Sequence, residues 1–408
     1  MSKNYPLSAK SISTLLLMSI CVPALLLSLG GILIAIVSSH PPIGRDFLAY
    51  WAAGRQLVDR ANPYDAQTIL ALEQSTGTSN GSAVVMRNPP TGFLLVLPLG
   101  LLPWREANLL WTAMLLAALA ISITLIWKIL EKPTDIERVL GYTFAPVLLC
   151  LYAGQSSLFL LLGIALFLWL HSTRPFLAGI SLWLCLLKPH IFMPFGTVVL
   201  AWALCSRRYL ILLGCFLAVL SSAAIGLYLD TAAWHHYVSM MTSSGIDREL
   251  LPCFSGNLRL LIDPSKAWLQ FVPAVTACAW AAWYFYKNRT GWDWIRHGSG
   301  LLPLSFLASP YAWSTDQAVM LPALLFVISA TSSPGLMAAM ALGSAVMELG
   351  PFFGVAMHSR FNEVSSLFWC LLFLIGKNLS SRNESMKKHM PSLQMEENAA
   401  VALENSRS

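Results

Sequence analysis

The 408-residue chain is strongly apolar, since 56% of its residues are hydrophobic and only 11% are Asp, Glu, Lys or Arg. That charged share is about half the value of a soluble globular domain, so the composition excludes an ordinary water-soluble protein. The net charge of +6 is spread thinly, without the basic and aromatic stripe that nucleic-acid binding needs. The composition predicts an integral membrane protein whose partners include membrane lipids and exclude nucleic acid.

The apolar sequence divides at charged residues and at Pro or Gly clusters into about twelve predicted spans, within a range of about ten to thirteen. These spans are 12–37, 105–130, 139–153, 156–171, 176–188, 190–206, 209–229, 266–286, 298–310, 317–331, 335–350 and 363–377. The first run is too long for the core of a signal peptide, and we interpret it as a retained span. The pattern predicts an all-α integral membrane fold.

Lysine and arginine in short loops are retained on the cytoplasmic side, and most of them share one side if the N-terminus is inside. This orientation predicts a cytoplasmic N-terminus at 1–11, a transmembrane domain at 12–379 and a disordered cytoplasmic tail at 380–408. Two polar segments, 38–104 and 230–265, then form outer loops with juxtamembrane helices. We expect a multi-pass protein of the cell's inner (plasma) membrane.

The first outer loop contains apolar and aromatic residues at helical spacing. This spacing predicts an amphipathic helix over 46–60 that lies along the membrane interface and ends before Asn62-Pro63. The apolar stretch 93–102 is too short to cross a bilayer, so it predicts a re-entrant or interfacial segment.

Asp46 follows the first predicted span, next to Arg45, at the outer interface. A partly desolvated carboxylate at that place could act as a general base toward a substrate hydroxyl. It could equally cap the helix that follows by accepting backbone N–H bonds. Position alone leaves both interpretations open.

Lys188 and His190 flank a proline at another predicted outer span end. Such a lysine suits an anionic headgroup such as phosphate, or it is a snorkelling lysine at a helix end. His190 is a headgroup contact or a satisfied interfacial histidine. Asp316, at a third outer span end, is a site residue, a helix cap or an interfacial anchor group.

The polar breaks of the apolar sequence share one side of the membrane in the predicted orientation. This set comprises Asp46, Arg55, Asn88, Gln155, Lys188, His190, Arg259 and Asp316. A shared outer cavity explains the clustering. The eight cysteines are scattered and have no metal-ligand spacing, so we expect small buried hydrophobes and no metal site.

Several motifs follow one another in the order found in a known family. They are Arg45-Asp46-Phe47, Tyr50-Trp51, Ala53-Gly54-Arg55, Asn62-Pro63-Tyr64-Asp65, Asn88-Pro89-Pro90, Gly154-Gln155, Lys188-Pro189-His190 and the stretch 309–316. From about residue 40 to about 330 the chain resembles glycosyltransferase family 87. These are multispanning enzymes of the GT-C type, including polyprenol-phosphate-mannose-dependent mannosyltransferases. Two departures are Arg60-Ala61-Asn62, where a glycine is common, and Ser314-Thr315-Asp316, where members often carry Asp-Tyr-Asp.

The resemblance implies that Asp46 is the catalytic base and that Lys188 and His190 lie near the donor phosphate, with Arg259 as a second cation. Further substrate contacts are expected from Arg45, Tyr50, Arg55, Asn88, Gln155, Asn257 and Asp316. With Asp46 as base, the role of helix cap becomes secondary, although one residue can serve both.

The resulting hypothesis is a membrane glycosyltransferase that moves a sugar, with mannose favoured, from a polyprenyl-phosphate donor to a hydroxyl of a lipid or envelope-glycan acceptor. Transfer takes place on the outer face of the membrane and inverts the anomeric configuration. The lipid phosphate leaves as a monoester anion, so we expect neither metal nor other cofactor. The alternative is a multispanning transporter or lipid flippase, because buried Lys, His and Asp also mark substrate paths.

Overall fold

The structure, a computed structural model, describes residues 45–77, 81–130, 134–243, 253–349 and 364–383, together with Ser19 and Pro23. The regular structure in these ranges is helical, and no strand occurs in them. The predicted all-α membrane fold is confirmed. The predicted N-terminal segment and first span, 1–37, lie outside the described residues apart from Ser19 and Pro23.

The α-helices are numbered in chain order. They are α1 (Arg45–Val58), α2 (Ala66–Ser75), α3 (Phe93–Gly100), α4 (Trp104–Ile129), α5 (Asp135–Tyr142), α6 (Ala145–Ala153), α7 (Ser157–Leu170), α8 (Pro175–Cys185), α9 (Met193–Cys205), α10 (Tyr209–Leu229), α11 (Ala233–Ser243), α12 (Phe254–Ile262), α13 (Val272–Asn288), α14 (Leu301–Ala308), α15 (Leu321–Thr331), α16 (Pro334–Leu349) and α17 (Val364–Asn383). Short 3-10 helices lie at Pro90–Gly92, Pro189–Phe192, Ala267–Phe271, Arg289–Gly291, Gly298–Gly300 and Ser314–Met320.

Four helices in the described ranges are long and apolar enough to cross a membrane: Trp104–Ile129, Tyr209–Leu229, Ser314–Thr331 and Val364–Asn383. The pair α5 and α6, bent by 42°, makes a fifth if it is one broken span. The other predicted spans in these ranges form helices near their expected positions, but proline and glycine at their ends shorten them. The count of about twelve spans therefore stays a prediction.

Helix α1 forms where the sequence predicted it and ends at Val58. Its residues from Phe47 to Gly54 are buried on every side, because α2, α3 and α4 pack around it. The prediction of a helix is confirmed, whereas the prediction of an amphipathic helix with one face along the membrane interface is wrong. The flanking helices cover the face of α1 that the sequence pattern predicted to contact lipid.

Helices α1 and α3 touch through two glycines. A Cβ atom added to Gly100 would lie 2.1 Å from the carbonyl oxygen of Gly54, and one added to Gly54 would lie 2.3 Å from the carbonyl oxygen of Val96. Small residues of this kind let helix backbones approach closely within a membrane. The contact fixes α1, and with it Asp46, against α3.

The C-terminal helix α17 extends to Asn383. The predicted disordered tail at 380–408 therefore begins too early, since residues 380–383 continue the helix. The rest of that predicted tail lies outside the described residues. A hydrogen bond from Gln317 Nε2 to Ser365 Oγ, 2.9 Å long, attaches α17 to the Ser314–Met320 segment.

Candidate active site

Asp46 lies half-buried in the first turn of α1, where it meets the turn between α6 and α7. The side-chain amide of Gln155 donates an N–H from Nε2 to Asp46 Oδ2 over 2.9 Å. The sequence predicted Asp46 and Gln155 on the same side of the membrane, and the structure places them in direct contact.

The orientation of the Gln155 amide follows from the donors around its oxygen. Gln155 Oε1 accepts hydrogen bonds from the Tyr50 hydroxyl at 2.9 Å, from Lys188 Nζ at 3.1 Å and from the Ser156 backbone N–H at 3.1 Å. An amide NH₂ group cannot accept these bonds, so the nitrogen must point toward Asp46. One amide thus connects the carboxylate of Asp46 to the ammonium of Lys188.

Tyr50 is a neutral donor in this network. Burial raises the pKa of Tyr50 to about 12, so its hydroxyl stays protonated at neutral pH. The same hydroxyl lies 3.0 Å from Ser156 Oγ, and the Tyr50 ring packs against Trp111 at 5.0 Å between ring centroids. The protonated phenol supports the orientation of Gln155.

Lys188 forms a buried ion pair with Asp316. Nζ lies 2.6 Å from Asp316 Oδ1, and Asp316 is fully buried. The remaining contacts of Nζ are Ser157 Oγ at 3.3 Å and Gln155 Oε1 at 3.1 Å, so all three ammonium N–H groups have an acceptor. Ser157 Oγ also donates to Asp316 Oδ1, and the Trp313 backbone N–H donates to Asp316 Oδ2 over 2.9 Å.

The α6–α7 turn that presents Gln155 depends on Gly154. Gly154 ends α6 in the left-handed conformation, with φ of 71°, where a residue with a side chain is strained. A Cβ atom there would also lie 2.7 Å from Phe47 Cβ. The Gly154 carbonyl accepts the indole N–H of Trp111 over 2.7 Å. This glycine therefore brings the turn close enough to α1 for Gln155 to reach Asp46.

Asn88 positions the chain just before Lys188. Its side-chain N–H donates to the Leu187 carbonyl over 2.9 Å, and its own carbonyl accepts the Tyr64 hydroxyl at 2.7 Å. Tyr64 is in turn held by an Asx turn, in which the Tyr64 backbone N–H donates to Asn62 Oδ1 over 2.9 Å. Through these hydrogen bonds, the Asn-Pro-Tyr and Asn-Pro-Pro motifs hold the backbone just before Lys188 in position.

His190 stacks on Tyr311, with 3.7 Å between ring centroids and an interplanar angle of 26°. In the chain, Lys188 lies two residues before His190, and Asp316 lies five residues after Tyr311. His190 is half-buried, so it borders the polar cluster. The predicted contact with a donor headgroup stays a prediction.

Three predicted site residues do not join this cluster. Arg55 is exposed, donates to the Gly100 carbonyl at 3.3 Å and pairs with Asp59 at 3.7 Å. Arg259 is fully buried on α12, and its Nη1 donates to Gln270 Oε1 over 3.1 Å. Asn257 is half-buried on the same helix. The side chain of Arg45 lies outside the described part of the chain.

Sequence reasoning missed Ser156, Ser157, Tyr64 and Tyr311 as members of the site. A signal for the two serines was present, because Gln155-Ser156-Ser157 is a polar run between two apolar helices. Within the described ranges, no group of three or more His, Cys, Asp or Glu side chains could hold a metal ion. That the protein needs no metal stays a prediction.

The fold defines an integral membrane protein, and its polar cluster joins a half-buried carboxylate to an ammonium through one amide. The sequence profile of glycosyltransferase family 87 matches residues 87–310, which is more than half of the chain. The chain belongs to glycosyltransferase family 87, and it is a membrane glycosyltransferase. No curated protein and no solved structure matches it.

The matched region is shorter than the region of predicted resemblance. It contains Asn88, Gln155, Lys188, His190, Asn257 and Arg259, whereas Asp46 lies before it and Asp316 lies after it. The assignment of Asp46 as base therefore depends on the motif around it and on its contact with Gln155, not on the family match.

Proposed function

We propose that this protein transfers a sugar, with mannose favoured, from a polyprenyl-phosphate donor to a hydroxyl of a lipid or envelope-glycan acceptor. The observation that supports this proposal is the placement of Asp46 and Lys188 at the two ends of the Gln155 amide. A sugar transfer of this kind needs a base for the attacking hydroxyl and a cation for the leaving phosphate.

The spacing of these two groups suits an inverting transfer. The two hydrogen bonds of 2.9 and 3.1 Å, joined by an amide of standard dimensions, keep the Asp46 carboxylate and Lys188 Nζ within about 8 Å. This upper limit places the base and the cation close enough to act on one anomeric carbon. In an inverting transfer, Asp46 takes the proton from the acceptor hydroxyl while the lipid phosphate departs on the opposite side of that carbon.

The donor phosphate has to compete for Lys188, because the three N–H groups of its ammonium are already bound by Asp316, Ser157 and Gln155. The Gln155 carbonyl oxygen and the Ser157 hydroxyl are neutral acceptors and therefore weaker than a phosphate oxygen. In the proposed mechanism a phosphate oxygen replaces Gln155 Oε1 at Nζ, while Asp316 keeps the ammonium in position. The charge on the departing monoester anion is then offset by Lys188 without a metal ion.

We place the site on the periplasmic or exterior side of the inner (plasma) membrane. The support for this orientation is the positive charge of the short loops that it assigns to the cytoplasm, which include Arg138, Arg207 and Arg208. Contacts between basic side chains and aromatic rings occur at residues assigned to both sides, such as Arg138 over Trp127 and Arg87 over Trp313, so they do not favour either orientation.

The Asp46→Asn variant tests the assignment in reconstituted membranes supplied with a radiolabelled polyprenyl-phosphate mannose and extracted acceptor lipids. Asparagine keeps a side-chain oxygen to accept the Gln155 N–H but cannot take a proton, so transfer should fall by about 100-fold or more. Asp59→Asn is the matched control, because Asp59 is an exposed acid just after the same helix. That control should keep wild-type activity.

Undiminished transfer by the folded Asp46→Asn variant would overturn the role of Asp46. If the wild-type protein transfers no sugar from any polyprenyl-phosphate donor, the proposed donor class is wrong.

A further inference from the structure

A polar cavity of about 460 Å³ lies apart from the Asp46 cluster, by which we mean Asp46, Gln155, Lys188 and Asp316, and none of these four residues lines it. Its described lining comes from the turn after α1, from the segment 83–87 and from α11. The polar lining residues that matter most are Asn62, Tyr64, Asp65, Arg87, His235 and His236. Its volume falls within the range of about 300–1,000 Å³ that is typical of small-ligand pockets. A cavity of this size can take one or two sugar rings.

The cavity and the Asp46 cluster share two structural connections. The lining residue Tyr64 donates its hydroxyl to the Asn88 carbonyl, and Asn88 holds the Leu187 carbonyl just before Lys188. The guanidinium of Arg87, on the same wall, lies 5.6 Å from the ring centroid of Trp313, whose backbone N–H binds Asp316. The cavity wall is therefore linked through Asn88 and Trp313 to the segments that carry Lys188 and Asp316.

The cavity contains a histidine held in a fixed orientation. His236 Nδ1 lies 2.7 Å from Asp230 Oδ2, and the second oxygen of Asp230 accepts the Ala232 backbone N–H over 3.0 Å. Asp230 is buried at the end of α10, so its position is set by a long helix. This pairing directs the Nδ1 proton toward Asp230, and His236 Nε2 makes no hydrogen bond within the described part of the chain.

The lining decides between a phosphate and a hydroxyl-rich ligand. Arg87, His235 and His236 could attract an anion, but the carboxylate of Asp65 stands on the same wall. Hydrogen bonds from Thr68 lower the pKa of Asp65, so this carboxylate is ionised and would repel a phosphate. A polyol, in contrast, uses donors and acceptors together.

We propose that this cavity is the acceptor subsite and that it binds a hydroxyl-rich headgroup, such as a glycoside, through His236 Nε2. The proposal rests on the proposed function, because a transferase needs a place for its acceptor beside the base and the donor. Asp230 is a positioning residue that orients His236.

Binding of octyl β-glucopyranoside, below its micelle-forming concentration, tests the subsite without requiring turnover. The full-length protein is placed in phosphatidylcholine nanodiscs, and affinity is measured by saturation-transfer NMR for the wild type, His236→Ala and His236→Gln. His236→Ala should weaken binding by about tenfold, the cost of one well-formed hydrogen bond, and the amide of His236→Gln should restore part of it. His297→Ala, at a histidine that stacks on Trp292, is the matched control and should bind like the wild type.

A second arm titrates inorganic phosphate, whose binding should not depend on His236. Equal glucoside affinity in the wild type and in His236→Ala would overturn the proposal, as would the absence of glucoside binding or a dependence of phosphate binding on His236. In transfer assays, His236→Ala and Asp230→Asn should raise KM for the acceptor and leave KM for the donor unchanged. The protein could also bind the glucoside in a His236-dependent way and yet transfer no sugar. That result would contradict the proposed function but would support a hydroxyl-binding site at His236.

Discussion

Lys188 and Asp316 form an ion pair in which Nζ lies 2.6 Å from Oδ1 and both side chains are almost completely buried. They are 128 positions apart in the sequence, and their pairing joins the turn before α9 to the Ser314–Met320 segment. A buried pair of this kind is costly to break, because the remaining partner is left as an uncompensated charge. The pair therefore has a structural role that is separate from any contact with a substrate.

The first prediction separates these two roles. Lys188→Met should destabilise the protein by about 3–5 kcal/mol, because it leaves the Asp316 carboxylate buried and unpaired. The double variant Lys188→Met/Asp316→Leu should recover most of that stability, since neither charge remains. Thermal unfolding in detergent, followed by intrinsic fluorescence, gives the order of stabilities.

Transfer activity completes this test. If Lys188 holds the leaving phosphate, the double variant should be stable but should still lose sugar transfer. A double variant that recovers both stability and transfer would show that Lys188 serves only the fold.

The second prediction concerns the turn that carries Gln155. Gly154→Ala should lower transfer strongly, because the left-handed conformation costs about 1–2 kcal/mol for an alanine and its Cβ would displace Phe47 and α1. Gly196→Ala is the matched control, because Gly196 is exposed on α9 and a Cβ there has nothing within 4 Å. Steady-state transfer rates of the two purified variants decide the matter, and equal rates would contradict the proposed importance of the turn.

The third prediction concerns Tyr50. Tyr50→Phe removes one donor to Gln155 Oε1 and should reduce transfer by about tenfold, roughly the value of one hydrogen bond. Because burial raises the pKa of Tyr50 to about 12, its hydroxyl is protonated from about pH 6 to about pH 9. The loss should thus have the same size at both ends of that range. A loss that disappears toward alkaline pH would mean that Tyr50 ionises there.

The sequence alone predicted which polar residues share one side of the membrane. Asp46, Gln155, Lys188 and Asp316 each stand at a break between apolar runs, so assigning the cytoplasmic loops by their positive charge was enough to group them. The structure joins these four in one hydrogen-bonded network. Their chemical roles stay predictions.

The pairings within that group depend on tertiary packing and could not be predicted. Lys188 meets Asp316 only because α6, α7 and α14 pack against the Ser314–Met320 segment. Arg259 was predicted as a second cation for the phosphate. In the structure it donates instead to Gln270, which lies 11 residues later in the chain. The prediction that one face of α1 lies open along the membrane interface was also wrong. Periodicity shows which residues share a face of a helix, but it does not show what covers that face.

The last prediction concerns orientation, on which the outer position of the site depends. Cys205 is exposed at the end of α9, beside Arg207 and Arg208, and the positive charge there predicts a cytoplasmic position. Ser75 is exposed at the end of α2, in the predicted outer loop. In sealed right-side-out vesicles, a membrane-impermeant maleimide should label Ser75→Cys in a Cys205→Ser background. In the wild type, it should label Cys205 only after the membrane is opened. The reverse pattern would place the Asp46 cluster in the cytoplasm, where a donor in the outer leaflet could not reach it.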